Sequence, residues 1–154
     1  MPEARLRPAT ADDTEFLRAV YAGTRTEELA LTDWSDAQKA AFCRQQFDAQ
    51  DNHYRAHYPT SEFLEIENGT ESIGRLYVDR WEKEIRVMDI SILPEFRGAG
   101  VGTQLLRELH DEARAAGKSL CIHVEKFNPA LRLHERLGLK PIEDKGVFLL
   151  MSWT

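Results

Sequence analysis

Arg97-Gly98-Ala99-Gly100-Val101-Gly102 lies between an apolar run at residues 87–93 and a long amphipathic run at residues 101–116. Three glycines in so short a stretch allow a tight turn that bares its backbone N–H groups. The helix expected next points its positive end into the same space. Bare amides, a helix N-terminus and a flanking arginine together form a site for a phosphate or pyrophosphate.

Three glycine turns compete for this pattern. An ATPase-type phosphate loop ends in Gly-Lys-Ser/Thr, whereas Gly102 is followed by Thr103 and Gln104, which excludes it. A dinucleotide-binding turn places G-x-G-x-x-G directly after a strand. Here Pro94, Glu95, Phe96 and Arg97 intervene, and Thr103 stands in the place of the third glycine. Only Glu125, where a ribose-binding acid would stand, speaks for that reading. The third pattern fits. Arg97-x-x-Gly100-x-Gly102 resembles the acetyl-CoA pyrophosphate loop of the GNAT acetyltransferase superfamily, Arg/Gln-x-x-Gly-x-Gly/Ala. Upstream, Ile92-Leu93-Pro94-Glu95-Phe96 is similar to the family's strand end and Pro-Glu-aromatic lead-in. Downstream, Asn128-Pro129-Ala130-Leu131-Arg132-Leu133-His134-Glu135-Arg136-Leu137-Gly138-Leu139 resembles its "Asn, Ala, Leu-Tyr-Glu, Leu-Gly-Phe" helix. The likeness covers roughly residues 84–142; the first eighty residues share only the general layout.

Composition agrees with one compact domain over residues 1–154: 42% of residues are hydrophobic and 30% charged. The length suffices to bury a core without staples. A net charge of −6 disfavours a nucleic-acid partner. Cys43 and Cys121 offer neither metal-ligand spacing nor a disulfide framework. No apolar stretch approaches a membrane span and Met-Pro-Glu-Ala-Arg is no signal peptide, so the expectation is a cytoplasmic protein, monomer or homodimer, with no membrane partner and no metal.

The layout follows from periodicity and punctuation. Residues 4–9 read as a strand, followed by a helix capped by Thr10 or Asp12 and ending near Ala22. Residues 35–58 read as one helix, opened by the capping box Ser35-x-x-Gln38 and closed by Pro59. Residues 62–67 and 72–81 form a hairpin about Asn68-Gly69, and 84–93 is a further strand. Residues 100–116 form a helix with Val101, Leu105, Leu109 and Ala113 on one ridge and Gly117 as its stop. Leu120, Ile122 and Val124 alternate with Cys121, His123 and Glu125, a strand with two unlike faces. Asn128 caps a helix with Pro129 at its first position and Gly138 past its end, and residues 139–142 and 147–153 are closing strands. Strand, turn, helix, strand over 84–125 implies a right-handed parallel pair. The fold expected is α/β (α+β): a single mixed, mostly antiparallel sheet with helices on both faces.

The resemblance adds that the parallel pair splays apart. It implies acetyl-CoA as co-substrate, with the pantetheine arm bonded to backbone near Ile92 and Leu93. The pyrophosphate then lies on Arg97, Gly98, Ala99, Gly100, Val101, Gly102 and Thr103, and Asn128 belongs to the same site. It also implies acetyl transfer to a primary amine of a small molecule or peptide, by direct attack in a ternary complex. Such a reaction needs a neutral amine, a polarised carbonyl and protonation of the leaving thiolate; Cys121 is then a small core or lining residue.

His134 occupies the position of the family's usual tyrosine acid and shares a helix face with Ala130 and Leu137. It is either a proton donor near its ordinary pKa of about 6.5 or a packed histidine. His123 is the candidate base, with Glu125 orienting it or binding a substrate cation; both sit on one strand face that is either cleft or surface. Asp89 and Glu84 are the fallback bases. The segment 45–58 supplies either an acceptor wall, with Tyr54 and Tyr58 at i, i+4, or packing on the sheet. Two further readings stand: a non-catalytic acyl-CoA-binding or sensor domain, suggested by the missing tyrosine, and an enzyme for a longer acyl group with its pocket near Cys121 and Leu131.

Overall fold

The computed structural model describes residues 4–126, 128 and 130–153. Among these, the chain runs β1 (Ala4–Pro8), α1 (Thr14–Leu29), α2 (Asp36–His57), β2 (Glu62–Asn68), β3 (Glu71–Arg80), β4 (Glu84–Ile92), α3 (Val101–Ala115), β5 (Ser119–Glu125), α4 (Ala130–Leu137), β6 (Lys140–Asp144) and β7 (Phe148–Trp153). The strands form one seven-stranded sheet in the order β1-β2-β3-β4-β5-β7-β6. Only β4 and β5 run parallel; the other neighbours are antiparallel.

The capping box at Ser35 forms as read: its hydroxyl accepts from the Gln38 N–H, and the Gln38 side chain accepts from the Ser35 N–H. Two boundaries differ. Thr10 caps a short 3-10 turn at Ala11–Asp13, and the α-helix starts only at Thr14. That helix then runs past Ala22 to Leu29. Gly23 lies inside it and serves a tertiary contact: a Cβ there would lie 2.8 Å from Pro94 Cδ. The last hairpin also shifts, β6 reaching Asp144 and β7 starting at Phe148. Pro129 lies outside the described residues.

Alternation along the strands gives the sheet two chemically different faces. Leu76 and Val78 of β3, Ile85 and Val87 of β4, and Leu120, Ile122 and Val124 of β5 share one buried cluster with Val101, Leu105, Leu106 and Leu109 of α3. On the opposite face, the guanidinium of Arg75 on β3 lies over Tyr21 of α1 and Phe47 of α2. Tyr54 of α2 packs there with Tyr77 and Met88.

Met88 decides the shape of the middle of the sheet. Tyr77 pairs with Asp89 and Val78 with Val87, so Met88 is an extra residue on β4, a bulge. Its carbonyl accepts from the Tyr54 hydroxyl at 3.2 Å. Pairing between β4 and β5 runs from Glu84–Ser119 to Val87–Ile122 and ends at this bulge, although both strands continue. The parallel pair is therefore splayed over its C-terminal half.

Candidate active site

The splay opens a cleft of about 360 Å³ between the end of β4, the start of α3 and α4. The Leu93 N–H donates to the Ile73 carbonyl at 2.8 Å. With the antiparallel register, that turns the backbone groups of Asp89, Ser91 and Leu93 toward β3, and those of Ile90 and Ile92 toward the gap. The Leu93 carbonyl accepts from the Phe96 N–H at 2.9 Å. Both polar backbone groups of Leu93 are thus used within the chain, and the backbone of Ile90 joins the Ile92 N–H as the groups open to the cleft, the Ile92 carbonyl accepting from Arg97 Nε.

Gly98 and Gly100 adopt φ of 83° and 85°, the left-handed region in which a Cβ is strained. The turn they make brings the chain onto α3, whose first N–H groups have no partners inside the helix. Gly98, Gly100, Val101, Gly102, Thr103, Arg97, Ile92 and Asn128 all line the cleft; Ala99 and Leu93 are not among the lining residues. Arg97 lines the cleft and is also held within the chain: its Nε donates to the Ile92 carbonyl at 2.9 Å and its Nη2 to the Gly23 carbonyl at 3.0 Å. It ties α1 to the end of β4.

His134 also lines this cleft. The ring is 1% exposed, and its Nδ1 has no hydrogen-bond partner among the described residues. Burial lowers its pKa to about 4, so at neutral pH the ring is uncharged and carries one proton.

A second cavity, about 800 Å³, opens on the polar face. Glu125, His123, Tyr54 and Tyr58 line it, so the 45–58 segment forms a wall as well as packing on the sheet. Glu125 is buried. Its Oε1 accepts from Gln50 Nε2 at 3.0 Å and its Oε2 from Asn128 Nδ2 at 3.3 Å. Asn128 Oδ1 accepts from the Ala130 N–H at 2.9 Å, capping α4. Burial, and then the charge of Asp89, raise the Glu125 pKa. The Glu125–Asn128 contact joins the two cavities.

Behind Glu125 stands a buried chain of polar groups. Gln50 Oε1 accepts from Arg75 Nη2 at 2.7 Å. Arg75 Nε donates to Asp89, which also accepts from Ser91 Oγ at 3.0 Å. Arg75 is 1% exposed and is stabilised as a cation by Asp89 and three aromatic rings. Asp89 is thereby an ion-paired carboxylate. Glu84, the other fallback, is paired with Arg86 at 2.8 Å. His123 presents Nε2 to Arg86 Nη1 at 3.4 Å and Lys145 Nζ at 3.2 Å. Burial and these two cations push its pKa down to about 4. Cys121 is buried near Ser119 and Ser152. Arg75 and Gln50 were not among the residues singled out from sequence. A charge between Gly74 and Leu76, in an otherwise apolar strand, is the one local sign of Arg75; Gln50 has none.

The model of the acetyltransferase (GNAT) family matches residues 25–139. The chain belongs to that family. GNAT folds of the same extent include a PaiA N-acetyltransferase from Thermoplasma acidophilum in complex with coenzyme A, at 17% identity and a TM-score of 0.69 over 97% of this chain and 98% of that one. An acetyltransferase from Thermus thermophilus is 18% identical, with a TM-score of 0.67 over 99% of each chain. A GNAT family acetyltransferase from Elizabethkingia anophelis with acetyl-CoA bound is 18% identical, with a TM-score of 0.55 over 97% and 96%. At these identities the likeness is one of fold. No curated protein sequence matches the chain. Among the described residues no helix of this GNAT protein is long and apolar enough to cross a membrane, and no cluster of three ligating side chains could hold a metal ion.

Proposed function

We propose that this GNAT protein transfers the acetyl group of acetyl-CoA to a primary amine of a small molecule or peptide, by direct attack in a ternary complex. The observation that carries this reading is the junction at Glu125 and Asn128, where the glycine-turn cleft meets an acid-lined cavity. Acetyl-CoA, when bound, supplies the thioester carbonyl carbon that the amine attacks. The residues fit it: the amides of 98–103 suit a pyrophosphate, the backbone of Ile90 and the N–H of Ile92 suit an amide arm, and the orphaned His134 Nδ1 suits a polar group in the cleft.

Glu125 is the base in this scheme. Its raised pKa brings a carboxylate nearer the working pH, and Gln50 and Asn128 fix its orientation. It takes a proton from the ammonium, freeing the nitrogen lone pair. The N–C bond forms as the C–S bond breaks, leaving amide, thiol and one proton released. His123 is set aside as base because its Nε2 faces two cationic donors. Asp89 neutralises Arg75 and so holds the network together. His134 stands for the family's tyrosine as a neutral N–H donor to the departing sulfur, since its pKa of about 4 leaves no imidazolium at pH 7.

The test is thiol release over a panel of amines, with acetyl-CoA binding followed by native mass spectrometry. Acetylated amine and stoichiometric thiol are expected. Acetyl-CoA binding without thiol release from any amine would leave a binding or sensor domain instead.

A further inference from the structure

The acceptor cavity contains a charged feature that proton transfer at Glu125 does not use. Arg86 Nη1 and Lys145 Nζ converge on one ring nitrogen of His123, 3.4 and 3.2 Å away. That nitrogen offers a single lone pair to two cations. Arg86 is anchored by Glu84 and lies 4.7 Å over the ring of Trp81. Lys145 is exposed on the turn between β6 and β7. The adjoining Asp144 is committed to Lys126 and to the Gly146 N–H. Among the described residues no carboxylate lies within ion-pair distance of Lys145. The other cation of the cavity wall, Arg25, is bonded to Glu28 and Tyr21. The cavity lining therefore presents Glu125 on one side and Lys145 with His123 on another, Arg86 being buried behind His123, while the lining acid Glu28 is paired with Arg25. His123 and Glu125 are two residues apart on one strand face, a spacing of about 7 Å. Much of the remaining wall is aromatic: Tyr21, His53, Tyr54, Tyr58 and Phe148.

We propose that the acceptor is an amine carrying a carboxylate roughly 7 Å from its reactive nitrogen, with the amine at Glu125 and the carboxylate at Lys145 and His123, backed by the buried Arg86. The proposal rests on the acetyl-transfer reading above. A carboxylate there accepts a charge-assisted hydrogen bond from Lys145 and relieves the repulsion between the two cations. An aromatic or extended spacer between the two groups matches the wall. A cationic group in the same place meets the Lys145 ammonium, which no carboxylate within ion-pair distance offsets among the described residues.

The test uses the whole chain with acetyl-CoA and two acceptors that share a ring and an amine: 4-(aminomethyl)benzoate and 4-methylbenzylamine. The carboxylate compound is expected to have a kcat/KM higher by about tenfold, the low end for a hydrogen bond to a charged group. Lys145→Met should bring that ratio close to one, and Lys145→Glu should invert it. Binding of 4-methylbenzoate, which lacks the amine, is followed by NMR titration and should weaken several-fold in Lys145→Met. Equal use of both amines, or a preference that Lys145→Met leaves intact, overturns the carboxylate site while acetyl transfer stands. If no amine releases thiol yet 4-methylbenzoate binds in a Lys145-dependent way, acetyl transfer falls and the anion site stands. With no thiol release, 4-methylbenzoate binding that Lys145→Met does not change overturns the site as well.

Discussion

Toward α3, the sheet presents Leu76, Val78, Ile85, Val87, Leu120 and Ile122. Toward α1 and α2, the same strands present Arg75, Tyr77, Asp89, Ser91, His123 and Glu125. The first face is held by apolar area, which has no preferred direction and tolerates small shifts. The second is held by directional bonds, each leaving a buried charge or donor exposed to penalty if one partner is lost. One peptide step separates a side chain that stabilises the fold from one that performs chemistry. Substitutions on the two faces should therefore separate stability from turnover.

The largest effect falls on Glu125. Glu125→Gln keeps the shape and should lower kcat by about 10²–10⁴-fold, the usual range for a general base. Acetyl-CoA affinity, followed by calorimetry, should change little. Turnover above a tenth of wild type would remove Glu125 from the chemistry. Next comes Arg75. Arg75→Met leaves Asp89 buried without its cation and should cost about 3–5 kcal/mol in urea unfolding, whereas Arg75→Met with Asp89→Leu should recover most of that loss yet remain slow. If the double variant turns over normally, the buried pair contributes nothing to positioning Glu125. On the other face, Leu106→Ala at a fully buried site should cost about 2–5 kcal/mol, with kcat per folded molecule unchanged; a fall in kcat would breach the separation of the faces.

His134 links both effects through pH. An unfolded chain protonates this ring below about 6.5, while the folded chain holds it neutral down to about 4. Its contribution to stability is present above pH 6.5 and is lost as the pH falls through that window, about 3 kcal/mol in all. His134→Phe should flatten the melting temperature between pH 7 and pH 4, and parallel curves for the two proteins would mean a solvated ring. His134→Tyr should keep turnover where His134→Phe lowers it. The smallest effect belongs to Arg97→Ala, about 1–2 kcal/mol of stability from two hydrogen bonds to carbonyls. Its loss of acetyl-CoA affinity should stay below that of Gly100→Val, which forces a Cβ into the left-handed region; the reverse order would make Arg97 an anion ligand after all.

Features with a local signature were legible in the sequence. The glycine turn, the ridge of α3, the two-faced β5 and the capping box at Ser35 each depend on neighbours within a few residues. What escaped depends on distant partners. The first helix reads as ending near Ala22, whereas it runs to Leu29 with Gly23 packed against Pro94. Asp89 reads as a fallback base until Arg75, on the adjacent strand, is paired with it. Gln50 reaches Glu125 across 75 residues of sequence, and no periodicity marks such a contact. His123 reads as a base because nothing nearby in the chain announces Arg86 and Lys145. The fold was written in spacing, and the site's electrostatics in pairings that only the folded chain makes.

The seam between β4 and β5 holds only from Glu84–Ser119 to Val87–Ile122. The sheet is in effect two leaves, β1 to β4 and β5 with β7 and β6, sharing a short spine. Along the open part of the seam, the amides of Ile90 and Ile92 face the gap, while those of Asp89 and Ser91 are engaged with β3. Amide hydrogen exchange on β4 should consequently alternate between fast and slow residues, a pattern no continuous sheet produces. A ligand strand laid in the gap would erase that alternation and staple the leaves together, so the outer strands would open only when the whole sheet opens. Binding at the centre of the molecule would then be felt at its edge as a gain in cooperativity.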